Sequence, residues 1–223
     1  MKTICLYFEI HQPIHLKRYR FFDIGTDHYY YDDYENERSI TDIAERSYMP
    51  ALNTLHDMIK EHGNYFKVAF SLSGTGIEQL EMHAPQVIEK LQQMNETGCV
   101  EFLAETYSHS LAALSSKEDF VEQVKLHSKM IKEEFGKKPV AFRNTELIYS
   151  DQIGEMVAGL GFKTILAEGA KHVMGWKSPD YIYTNAIENS LRVLLRNYKL
   201  SDDISLRFSN SSWDAYPLMA GTY

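Results

Sequence analysis

The sequence has few of the features that would take it out of the ordinary class of globular chains. Two cysteines in 223 residues are too few for a disulfide framework. Both, Cys5 and Cys99, sit in apolar strand-like runs and read as buried free thiols. No apolar run approaches the roughly 20 residues of a membrane-spanning helix. Residues 1–10 have Lys2 as their one basic residue and a short apolar stretch broken by Glu9, so they do not read as a secretory signal. These absences lead us to expect a cytoplasmic protein. Positive charge is also in deficit, with 23 Lys and Arg against 31 Asp and Glu and a formal net charge of −8. That balance argues against nucleic acid and against an anionic membrane as partners. Repeats, low-complexity segments and linkers are missing too, and the length suits one domain over 1–223.

What is present is an ordinary core-forming composition, 44% apolar and 24% charged. Fifteen tyrosines stand against two tryptophans. Their ordinary reading is as core and surface residues, and the sharper one is the lining of a wet aromatic cleft that would suit sugars. Composition does not choose between the two.

Short apolar runs alternate with helical patterns along the chain. Thr3 to Phe8, Phe66 to Leu72, Cys99 to Leu103, Val140 to Phe142, Thr164 to Leu166 and Leu191 to Leu195 read as strands. Between them, Ile40 to His62 is helical in pattern, interrupted by Pro50, and Pro85 to Gly98 carries Ile88, Leu91 and Met94 on one face. Ser115 and Glu118 have the spacing of a capping box ahead of Phe120, Val124, His127 and Ile131, and Gly136 stops that helix. Ser150 starts another, with Ile153, Met156, Val157 and Leu160 on its buried face. Strands and helices taking turns over short links predict an α/β fold with mostly parallel strands, preferably an incomplete, TIM-like (β/α)7 barrel.

Ligands in parallel α/β folds meet the carboxyl ends of the strands. The first strand is followed by Glu9, His11, Gln12 and Pro13, and the second by Ser71, Ser73 and Gly74. Glu101 lies in the third strand, with Glu105, Tyr107 and His109 after it. Arg143, Asn144 and Glu146 follow the fourth, Glu168 and His172 the fifth, and Arg196, Asn197, Asp202 and Asp203 the sixth. Any one of these has a bland reading as a cap or a surface ion pair. Carboxylates after several strands, with histidines among them, predict a functional cleft.

Several chemistries lack their signatures. His11 and His109 have neither a His-x-x-x-His spacing nor an Asp pair directly after strand one to support a metal centre. Ser71-Leu72-Ser73-Gly74 is not a nucleophile elbow, and no lysine follows Gly74 and Gly76 in phosphate-loop fashion. Paired carboxylates remain, which is the chemistry of glycoside hydrolysis.

Three motifs in order carry a resemblance. They are His11-Gln12-Pro13, then Gly98-Cys99-Val100-Glu101-Phe102 continuing through Glu105, Tyr107 and His109, then Phe142-Arg143-Asn144-Thr145-Glu146-Leu147. The segment Leu195 to Ile204 adds a fourth match. Through them the chain resembles glycoside hydrolase family 57, the α-amylase and 4-α-glucanotransferase group, and is closest in look to its bacterial α-amylase-like members. The resemblance implies a retaining enzyme on α-linked glucans that needs neither metal nor organic cofactor. Glu146 would be the nucleophile, with its partner acid about 5–5.5 Å away. His11 and Glu101 would bind sugar hydroxyls on the cleft floor, with His109 and Arg143 beside them. Arg143 would also favour the ionised form of Glu146. Trp213 is read either as a stacking platform for sugar or as a packing residue.

The family's acid, an Asp in an Asp-x-Glu-x-Phe-Gly-like segment, has no match here, and Asp202, Asp203 and Asp214 lack its surroundings. We therefore expect the N-terminal part of a longer protein that holds the nucleophile without the acid. Open strand edges in such a piece would favour a homo-oligomer. Two rivals stay open: a non-catalytic glucan-binding protein, and a metal-dependent carbohydrate deacetylase on a related barrel.

Overall fold

A computed structural model describes residues 3–26 and 28–219. The chain divides into two compact units, Met1–Ala141 and Phe142–Tyr223. The first holds three parallel strands, β1 (Tyr7–Ile10), β2 (Val68–Leu72) and β3 (Val100–Leu103), side by side in that order. Tyr7 stands opposite Ala69, and Ser71 opposite Leu103, so the three carboxyl ends finish together. Around them run α1 (Asp33–Ile43), α2 (Met49–His62), α3 (Gly74–His83), α4 (Pro85–Glu96) and α5 (Lys117–Phe135).

Apolar faces of these helices close on β2 and β3. Leu52 and Ile59 of α2, Leu80 of α3, Leu91 and Met94 of α4 and Ile131 of α5 share one core with Phe70, Leu72 and Phe102. Phe102 and Phe135 stack with ring centroids 3.8 Å apart. Each such side chain contributes about 1.5–3 kcal/mol when fully buried. The expected face of α4 is found, with Val87 added to it.

The structure departs from the sequence pattern at several points. The helix read from Ile40 starts earlier, because Asp32 caps it through the Glu35 N–H. Pro50 lacks the N–H of a continuing helix, and the chain meets it with a wide π-type turn, Ala44–Tyr48, before α2 begins. The segment after β2, where the sequence pattern marked no helix, is the helix α3. Ser73 caps it by accepting from the Gly76 N–H, and Tyr107 packs where a Cβ on Gly74 would stand. Gly74, one of the two glycines that hide this helix in the sequence, is what lets Tyr107 approach. Finally, the cap of α5 is Ser116 with Asp119, one residue beyond the expected Ser115 and Glu118. Cys99 is buried as expected, whereas Cys5 is exposed, because β1 begins at Tyr7 and leaves Cys5 outside the strand.

The second unit carries β4 (Ala141–Arg143), β5 (Thr164–Glu168), β6 (Tyr183–Thr184) and β7 (Arg192–Arg196), in the order β4-β5-β7-β6. β5 and β7 run parallel from Thr164 opposite Arg192 to Glu168 opposite Arg196. β6 is antiparallel to β7 and only two residues long, too short to leave a pattern in the sequence. Three helices complete the unit, α6 (Asp151–Gly159), α7 (Lys171–Met174) and α8 (Tyr198–Asp202). Ser150 caps α6 as its position predicts, and Ile153 and Val157 are buried, while Met156 and Leu160 are half-buried. The α/β class and the mostly parallel pairing hold in both units. Among the described residues no helix is long and apolar enough to cross a membrane.

Candidate active site

The carboxyl ends of β1, β2 and β3 gather a carboxylate–histidine array. Glu105, just beyond β3, has a fully buried side chain. The Ser71 hydroxyl donates to its Oε1 at 3.1 Å, and His109 Nδ1 lies 3.1 Å from its Oε2. His109 Nε2 in turn lies 3.5 Å from Glu9 Oε1. One imidazole therefore spans a buried and a partly exposed carboxylate. His11 stacks on it with centroids 4.2 Å apart and meets the Ser73 hydroxyl through Nδ1 at 2.7 Å. His109 is held at φ +51°, a sparsely populated conformation for a non-glycine residue. Glu9, Glu105 and His109 each offer a ligand atom within 4.8 Å of the others, a donor set and spacing that could hold a divalent cation.

Behind the array lies His127 of α5, a fully buried ring. The Glu105 N–H donates to its Nδ1 at 3.3 Å, and its Nε2 is 2.6 Å from the Leu72 carbonyl oxygen. These partners assign the neutral tautomer with the proton on Nε2. Burial pushes the pKa of this ring below its ordinary 6.5, against a smaller opposing pull from Glu105. The sign of the linkage follows. Below about pH 6.5 the unfolded chain takes up a proton that the folded chain refuses. Stability is thus full above that pH and falls as pH drops through the window below it, by up to about 1.4 kcal/mol per pH unit. Urea midpoints measured at about pH 7.5 and 5 should fall more in the wild type than in H127N, which cannot titrate there. Equal falls would contradict the assignment.

In the second unit the chain turns sharply after β4. Arg143, Asn144 and Thr145 are buried, and Glu146 is exposed directly after them. Glu146 and Leu147 both have φ +54°, so two consecutive side-chain-bearing residues adopt the left-handed region. The turn is tied by Leu147 N–H to Asn144 O at 2.9 Å and by the Asn144 amide to Ile148 O at 2.9 Å. The Asn144 side-chain oxygen is buried and has no hydrogen-bond partner among the described residues. Farther on, Arg196 at the end of β7 joins Glu168 at the end of β5 (3.1 Å) and Asp202 of α8. Those carboxylates raise the Arg196 pKa further, against the cost of its partial burial.

The structure brings His11 and His109 together in the array. It places Arg143 and Glu146 on the β4 turn. Glu101 stands elsewhere: it is the exposed second residue of β3, opposite Ala69, and shares a shallow cleft with Lys137, Lys138 and Val140. Trp213 is half-buried in a chain of turns, with backbone bonds to Asn210 and Tyr216. Glu9, Glu105, Ser71 and His127 complete the array although the resemblance assigned them no role. The first three stand at strand ends, where that position itself was the available signal. His127 was legible only as a core residue of α5.

Parallel strands whose carboxyl ends gather carboxylates and histidines define an α/β fold with a candidate active site. The model of glycosyl hydrolase family 57 matches residues 5–223, and the chain belongs to that family. It is 40% identical over 222 residues to a protein of Methanocaldococcus jannaschii named "Putative alpha-amylase", a match that takes in 97% of this chain and 46% of that protein. Among solved structures, the 4-α-glucanotransferase of Thermococcus litoralis superposes with a TM-score of 0.69 at 19% identity, over 93% of this chain and 30% of that one. The α-amylase AmyC of Thermotoga maritima gives 0.64 at 12% identity, over 91% and 47%. These likenesses show the fold expected from the sequence. The chain spans 46% of the length of the M. jannaschii relative.

Proposed function

We propose that this chain carries the nucleophile-bearing part of a retaining enzyme that hydrolyses or transfers α-linked glucans, with Glu146 as the nucleophile. One observation carries the reading: a family 57 chain presents an exposed carboxylate, Glu146, on a strained left-handed turn at the carboxyl end of a strand, directly after three buried polar residues. Strain of this kind persists where surrounding structure over-determines it, and it gathers at functional sites. In the first step the Glu146 carboxylate forms a bond to the anomeric carbon as the glycosidic C–O bond breaks, and an acid gives its proton to the departing oxygen. Water or an acceptor sugar then takes the glycosyl group, returning the carboxylate. In this reading His11, His109 and Arg143 bind sugar hydroxyls, Trp213 is a stacking platform and the protein works on cytoplasmic glucan, whereas Glu101, exposed in the cleft with Lys137 and Lys138, takes no part.

The test separates the nucleophile from the acid. Fluoride leaves carbon without needing a proton, so α-maltosyl fluoride tests the nucleophile without calling on a general acid. The chain should consume α-maltosyl fluoride while leaving maltoheptaose nearly untouched. Lack of turnover on the fluoride would contradict the proposal. The Glu9–Glu105–His109 trio favours one second reading, a cation-dependent carbohydrate deacetylase. That reading predicts release of acetate from an acetylated sugar, lost on dialysis against EDTA, whereas the retaining mechanism predicts fluoride turnover that EDTA leaves unchanged.

A further inference from the structure

The ladder between β2 and β3 stops one rung short, and a side chain stands in the gap. In a parallel pair each paired residue donates its N–H to one residue on the neighbouring strand and accepts, through its C=O, from the residue two farther on. Here Val68 N–H donates to Cys99 O, and Val68 pairs with Val100. Continued in that register, the next unmade rung joins the Leu72 carbonyl to the Glu105 N–H. Both groups are bonded instead to His127, Glu105 N–H to Nδ1 at 3.3 Å and Leu72 O to Nε2 at 2.6 Å. The imidazole mimics the missing rung as acceptor on one edge and donor on the other. It parts the two strand ends by the width of a ring. Glu105, the residue so displaced, is the one whose carboxylate holds Ser71 and His109.

We propose that His127 is a positioning residue: by occupying the rung between Leu72 and Glu105 it sets where Glu105 stands and, through Glu105, where His109 and Glu9 stand. Its part in turnover rests on the function proposed above, whereas its part in geometry does not. Its two bonded partners agree with a neutral wedge. The ring meets a carbonyl and an amide, and the buried carboxylate of Glu105 is already engaged by Ser71 and His109. A structural histidine with no positioning role would merely fill space, and an apolar ring of similar volume would replace it.

The experiment compares H127A, H127N and H127F with the wild-type chain. Crystal structures are expected to show Leu72 O bonded directly to Glu105 N–H in H127A, with Glu105 drawn toward β2 and His109 displaced from Glu9. Asparagine restores an acceptor near the Nδ1 position, so H127N should keep Glu105 and His109 in place. It carries the test alone if the alanine variant does not fold. In α-maltosyl fluoride turnover, kcat should fall about 10–100-fold in H127A and H127F with KM nearly unchanged, and H127N should recover most of it. An array unmoved in H127A, an array shifted in H127N, or full turnover in H127F would each overturn the proposal. A wild-type chain inert to the fluoride would count against the proposed function alone, because the structural comparison stands without turnover.

Discussion

Replacing Glu146 with glutamine is expected to lower turnover of α-maltosyl fluoride by about four orders of magnitude or more. A neutral amide of the same shape cannot form the bond to the anomeric carbon, and loss of a nucleophile removes the whole covalent route and not a fraction of it. The fold should hardly notice. Glu146 is exposed, and glutamine inherits the same left-handed backbone, so the urea midpoint should move by no more than about 0.5 kcal/mol in stability. The combination matters more than either number. A variant that is stable and inert identifies a chemical role. A variant that retains turnover removes Glu146 from the reaction. A non-catalytic glucan-binding protein would give a third pattern, with maltooligosaccharide bound equally by wild type and E146Q and no turnover by either.

The second large effect is on stability. Glu105→Ala should cost about 3–5 kcal/mol, because the carboxylate is fully buried and its removal strands the imidazole of His109 and the Ser71 hydroxyl beside it. Denaturant unfolding followed by circular dichroism measures this directly. Glutamine in its place retains an acceptor for Ser71 and should cost less. Glu101→Ala provides the contrast: an exposed carboxylate on the same strand should move stability by no more than about 0.5 kcal/mol. Equal costs at 105 and 101 would mean that the array is no more tightly held than the surface.

That contrast also shows how far the sequence could be read. Strands and helices that bury continuous apolar faces, such as β2, α4 and α6, were legible because burial imposes a period. α3 was not, since Gly74 and Gly76 look like a loop until Tyr107 is seen lying against the first of them. The two-residue β6 carries too little chain for any period. In the site, the strand-end rule placed Glu9, His11, Glu105, His109 and Glu146 correctly at carboxyl ends. Motif likeness gave Glu101 a role and gave none to Glu105, four residues on in the same motif, because a one-dimensional motif does not state which carboxylate a neighbouring hydroxyl and imidazole will face. His127 was hidden for a related reason. Helical spacing marks it as core, and nothing in spacing distinguishes a core residue that fills space from one whose two nitrogens replace a rung of the sheet.

The most direct test is to trap the glycosyl-enzyme. A 5-fluoro-α-glucosyl fluoride carries its own leaving group and forms a covalent ester that breaks down slowly, since the ring fluorine disfavours the oxocarbenium-like transition state. Incubated with the chain and followed by intact-mass and peptide mass spectrometry, it should add one fluoroglucosyl unit to the peptide containing Glu146 and nothing to E146Q. Label on another carboxylate, or none on a folded wild-type chain, would contradict the account.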